Sequence, residues 1–194
     1  APGVSVHFLN DAYLPAVSDW IRNREKSWKS WLEEFAGVQR IPQLLNVAGS
    51  ALSDEFSYIV HYRSEKLVGL LKRHWSSYKP RIAKVLGQLR TILVPSERGD
   101  MVKFRDSYLP LPRMKTIIEE LHIVDFPFIL MPRQLDDQDK DEWAFLEQLG
   151  VGIDDNLGFY FEALERIAGA NPIGCSAEAV QALFRVYDEI GRTC

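Results

Sequence analysis

With 194 residues, 46% of them hydrophobic, five Trp and ten Phe, the chain can bury a sizeable core, which excludes an intrinsically disordered protein. Its net charge of −4 conceals a split: residues 1–60 hold 5 Lys/Arg against 7 Asp/Glu, residues 61–115 hold 13 against 4, and residues 116–194 hold 5 against 16. No apolar run approaches the roughly 18 residues of a membrane span, no basic-then-apolar leader opens the chain, and two cysteines make no disulfide framework; the expectation is an intracellular protein without a membrane partner.

Residues 4–15 alternate weakly and suggest loop or a short extended piece. A helical pattern follows, with Ser27 placed to cap, Trp28, Trp31, Leu32 and Phe35 on one face, and Gly37 as its stop. Trp20, Trp28 and Trp31 could form a ligand platform. Two of them share the stripe of Leu32 and Phe35, which favours anchoring a core. Residues 41–50 connect to a short helix opened by Ser53-Asp-Glu, whose acids suit a helix start, carrying Phe56, Ile59 and Val60.

Residues 67–111 form the centre of the pattern. Leu67, Leu70, Leu71, His74 and Trp75 keep helical spacing, Pro80 predicts a break, and Ile82, Val85, Leu86 and Leu89 resume it. A β-hairpin is predicted over about residues 92–105, with Ile92, Val94, Val102 and Phe104 alternating inward around the turn Ser96-Glu-Arg-Gly-Asp100. Asp106-Ser-Tyr-Leu-Pro-Leu-Pro112 closes the unit.

A helix from Arg113 presents Met114, Ile117, Ile118 and Leu121, and residues 126–130 predict a buried extended segment. The acidic run ahead of Trp143 places Asp137, Asp139 and Asp141 at the first, third and fifth positions of a calcium loop. The turn glycine is replaced by Glu142 and the terminal glutamate by Gln148, so an acidic helix start into Trp143, Leu146 and Leu149 is predicted instead. Gly150 stops that helix. Leu157, Tyr160, Phe161, Leu164 and Ala168 line the next, up to Gly169. Ser176 caps the last, lined by Val180, Leu183, Phe184 and Tyr187 up to Gly191. Trp31, Trp75 and Trp143 are all expected in the core.

No catalytic, cofactor-binding or metal-binding residues are expected. His7, His61, His74, His122, Cys175 and Cys194 lack zinc-ligand spacing, and no phosphate-binding glycine motif or nucleophile elbow is present. Arg98-Gly99-Asp100 has the letters of an integrin ligand, which chance explains. One constellation has a functional rival. Helix, helix and ribbon follow the order of a winged-helix module, with Lys79, Arg81, Lys84, Arg98, Lys103 and Arg105 as possible anion or nucleic-acid contacts. The acidic last third opposes a polyanion unless it faces away.

Several stretches carry a family likeness. Ser30-Trp-Leu-Glu with Phe35-Ala-Gly-Val38, Ile41-Pro-Gln-Leu, and Leu70-Leu-Lys-x-His-Trp-Ser-Ser-Tyr78 resemble a region of large, mostly fungal and plant proteins. So do Ser107-Tyr-Leu-Pro-Leu-Pro112, Phe126-Pro-Phe-Ile-Leu130 and Trp143-Ala-Phe-Leu-x-x-Leu-Gly-Val151. Those proteins, sacsin-like and NO VEIN-like, carry an Hsp90/histidine-kinase-type ATPase domain N-terminal to such a segment. The resemblance spans about residues 10 to 190 and implies an excised middle domain without the nucleotide motifs.

The resulting expectation is a mostly α, single helical domain over residues 1–194 with a small hairpin and a possible sub-boundary near residues 112–125. Its expected role is a non-enzymatic scaffold or protein-binding domain, with a protein partner or neighbouring ATPase domain of the same chain. The alternative is a nucleic-acid-binding module using residues 61–115.

Overall fold

A computed structural model describes residues 41–170 and 176–193 and divides the chain into two compact units, residues 1–58 and 59–194. The fold is mostly α with one two-stranded antiparallel hairpin among the described residues. The helix and stripe expected around Trp28 and Trp31, and the roles of Trp20 and Trp31, lie outside the described residues.

In the first unit, Leu45 and Leu52 pair across a turn whose backbone is bound by the Asn46 side chain. Ser53 caps helix α1 (Asp54–Tyr62) as its sequence predicts, its Oγ accepting from the Phe56 N–H at 3.0 Å. Glu55 reaches back to accept from the Gln43 N–H.

Helix α1 ends within the second unit, where α2 (Ser64–Ile82) follows and buries Leu67, Val68, Leu71, Tyr78 and Ile82. The predicted break at Pro80 is corrected: the helix runs through that proline, and its non-helical residue is His74 (φ −118°, ψ 17°). Pro80 supplies no N–H to the turn below it, but Ser76, four residues back, is exposed, so water can satisfy its carbonyl. Short α3 (Leu86–Arg90) buries Leu89 and leads into β1 (Leu93–Pro95).

Strand β1 pairs with β2 (Met101–Lys103) in the register Leu93↔Lys103, Val94↔Val102 and Pro95↔Met101. Ile92, Val94 and Phe104 are buried and Val102 is half-buried, which agrees with the predicted inward alternation. Phe104 itself belongs to a 3-10 turn (Phe104–Asp106) and not to the strand. In the connecting loop Gly99 sits at φ 91°, where a side chain would be strained.

Isolated bridges extend the hairpin into a ragged layer. Ser96 pairs with Ile129, Tyr108 with Phe128, and Tyr108 again with Gly152. The lateral order is therefore β2, β1, residues 128–130, residues 107–109, and residues 151–153. This gives the Leu-Pro signature its job. Leu109 and Leu111 are buried, Tyr108 supplies both bridges, and Pro112 begins α4 (Pro112–Glu120) at a position that needs no N–H acceptor.

The acidic run forms a 3-10 turn (Asp137–Asp139), α5 (Lys140–Trp143) and a second 3-10 stretch (Ala144–Leu149) ending on Gly150 at φ 90°. Trp143, Leu146 and Leu149 are buried as predicted. Trp75 is corrected from core to half-buried, with its ring 4.7 Å from that of Phe145. Helices α6 (Leu157–Ala170) and α7 (Ala177–Thr193) pack on one another and run past the glycines expected to stop them.

Candidate interaction surfaces

The stripes of the last two helices differ from those predicted. Helix α6 buries Phe159, Tyr160, Ala163 and Ile167 and leaves Phe161 exposed. Helix α7 buries Ala179, Ala182 and Val186, while Val180, Phe184 (70% exposed) and Tyr187 (61% exposed) face outward. Small residues on both helices let the backbones approach closely, so the alanine face wins the contact that size alone assigns to Phe and Tyr. Val180, Phe184 and Tyr187 fall at i, i+4 and i+7, one above another on a single face. Scattered apolar residues on a surface are ordinary; three stacked on one helix face make a stripe.

The six basic residues do not share one situation. Lys79, Arg81 and Lys84, at the end of α2 and just beyond it, are exposed and form no ion pair among the described residues. Arg98, at the hairpin tip, donates to the Val124 carbonyl, beside the Lys115–Glu97 pair at 2.7 Å. Lys103 is half-buried on β2. Arg105 pairs with Asp106 at 3.4 Å, and its backbone is where a Cβ on Gly150 would fall. Arg98 and Arg105 thus lie at opposite ends of β2 and address different neighbours.

The aspartates considered for calcium serve the fold. Asp136 caps the first 3-10 turn in a reciprocal box with Asp139. Arg133 clamps Asp139 with two bonds of 2.7 and 2.8 Å and reaches Glu142. Those Arg133 bonds, helped by the Asp136 N–H, hold the Asp139 carboxyl well below its ordinary range. Asp137 accepts from the Arg113 N–H. Among the described residues no group of three or more His, Cys, Asp and Glu could hold a metal ion.

Tyr108 and His74 are also displaced by their surroundings. Burial, then Glu162 and Glu165, push the Tyr108 phenol up to about 12; its hydroxyl donates to the Gly158 carbonyl at 3.0 Å. Burial, then Arg73, lowers His74, whose ring meets Tyr78 edge-on at 6.3 Å. His122 takes φ 56° just past α4, where it closes the helix while the Ile123 N–H reaches the Ile118 carbonyl.

A cleft of about 650 Å³ opens among residues 121–125, α6 and α7. Arg166 on its wall is already committed to Glu162 at 2.7 Å and to the Asp125 carbonyl at 3.0 Å. The wall also includes Ala170 and Ser176, the residues on either side of 171–175, which lie outside the described residues.

The outer face of the hairpin carries a further apolar set. Leu93, Met101 and Leu130 are each 42–49% exposed. Ladder pairing puts Met101 opposite Pro95, and Leu130 donates its N–H to the Pro95 carbonyl, so these side chains line up across three segments. The alternation of β1 and β2 shows which residues point out. No helix among the described residues is long and apolar enough to cross a membrane. Comparison with family models, curated proteins and solved structures gave no match.

Proposed function

We propose that this chain is a non-enzymatic scaffold or protein-interaction domain that works beside an ATPase domain, the role implied by its resemblance to the middle regions of sacsin-like and NO VEIN-like proteins. The observation that carries the reading is the outward stripe of Val180, Phe184 and Tyr187 on α7. Covering it removes apolar area from water, which drives most protein association. The test joins the chain to its proposed ATPase neighbour and compares wild type with Phe184→Asp/Tyr187→Asp. Both positions are exposed, so circular dichroism should be unchanged while binding to the neighbour falls at least tenfold. Equal binding by a folded double variant would sink the proposal.

A second reading has its own observation. Lys79, Arg81 and Lys84 are exposed and unpaired among the described residues, as phosphate contacts would be. If they bind duplex DNA, Lys79/Arg81/Lys84→Ala should shallow the logarithmic salt slope by about 0.9 per lost contact. The leading reading expects no salt-dependent binding in an anisotropy titration, and such binding, lost in the triple variant, would replace it.

A further inference from the structure

The hairpin offers a binding feature that neither the α7 stripe nor the basic set includes. Because Val94 and Val102 exchange the ladder bonds, with Phe104 N–H donating to Ile92 and Ser96 N–H to Asp100 on either side, Met101 and Lys103 turn their backbone groups away from β1. The Lys103 carbonyl already accepts the Asp106 N–H in the following 3-10 turn and keeps one lone pair; the Met101 N–H and C=O and the Lys103 N–H meet no protein partner among the described residues. On the other side of the layer β1 is covered by residues 128–130, so among the described residues β2 is its open edge.

We propose that this edge takes an extended segment of a protein partner as an added strand, with an acidic residue opposite Lys103 and an apolar one opposite Met101. The inference rests on the protein-interaction reading and deepens it by naming the partner's chemistry. Two observations choose the occupant. The half-exposed Met101, with Leu93 and Leu130 beyond it, gives an added strand's apolar side chain a surface to cover. Lys103 projects to the same face as Met101 and forms no ion pair among the described residues, which selects a carboxylate two residues from that apolar side chain. Main-chain bonds then supply attachment, and the alternate side chains supply selectivity. A short edge bearing a lysine is also how proteins discourage unwanted pairing, and an edge that serves protection alone binds no added strand.

The probe is a blocked peptide, Thr-Glu-Val-Leu-Thr, titrated into the whole chain while backbone amide resonances are followed. Shifts and slowed exchange are expected at Met101 and Lys103. Methylating the peptide's Leu nitrogen, which would bond the Met101 carbonyl, should abolish them. Lys103→Glu should weaken binding about fivefold and favour a Thr-Lys-Val-Leu-Thr peptide instead. Equal binding of the methylated peptide, or no response at residues 101–103, overturns the inference. Shifts confined to Phe184 and Tyr187 overturn it too, while leaving the α7 interaction standing. Loss of the α7 effect alone would defeat the broader reading without imitating any of these results.

Discussion

Trp143→Ala is expected to lower the stability of the second unit by about 3–5 kcal/mol, whereas Trp143→Phe is expected to lower it by only about 1–2 kcal/mol. The indole is 1% exposed, the Lys72 ammonium sits 4.2 Å from its ring centre, and Phe145 lies 6.0 Å away. Truncation to alanine removes the whole ring and leaves a cavity that rigid neighbours close only in part. Phenylalanine keeps most of the apolar volume. It also deletes the buried Nε1–H, which finds no acceptor among the described residues, so one unfavourable desolvation is relieved. Urea midpoints of both variants check this. A Phe variant as unstable as the Ala variant would mean that the indole N–H stabilises the fold.

The second large effect falls on Gly152. A Cβ there would overlap the Cδ1 and Cε1 atoms of Tyr108. That ring cannot swing aside freely: it lies 5.0 Å from Phe126 and 5.6 Å from Phe159, and its hydroxyl is tied to Gly158. Gly152→Ala is therefore expected to destabilise by about 1–3 kcal/mol through overpacking. Tyr108→Ala removes the obstacle, so the double variant should be more stable than the two single losses added together predict. Strict additivity in thermal or urea unfolding would show that the methyl group finds room another way.

Where local chemistry and packing agree, the sequence is readable. The Ser53 and Ser176 caps, the left-handed Gly150 stop, the hairpin around Gly99 and the buried Trp143, Leu146 and Leu149 follow from rules that act within one or two turns. The missing turn glycine argued against a calcium loop around Asp139, and in the fold that carboxylate accepts from Arg133. The kink was misplaced because Pro80 is an explicit signal, while His74 carries none. The helix departs from helical φ and ψ at His74, and the exposed Ser76 turn tolerates the proline.

Faces and surfaces needed the tertiary structure. Helix α7 has two apolar faces, one of alanines with Val186 and one of large side chains, and hydrophobicity alone favours the larger. Only the close approach of α6 decides that Ala179 and Ala182 go inward, leaving Phe184 and Tyr187 exposed. In the same way, alternation in residues 93–103 marks which side chains share a side of the ribbon, but not which strand ends the layer. Residues 128–130 reach Pro95 and Ser96 from 33 positions further along the chain (Ser96 to Ile129), and that long-range bridge covers the β1 side of the ribbon and makes β2 the edge of the layer among the described residues. Periodicity and capping are properties of neighbouring residues, so the sequence alone determines them; exposure depends on which distant segment arrives to cover a face, so only the folded chain decides it.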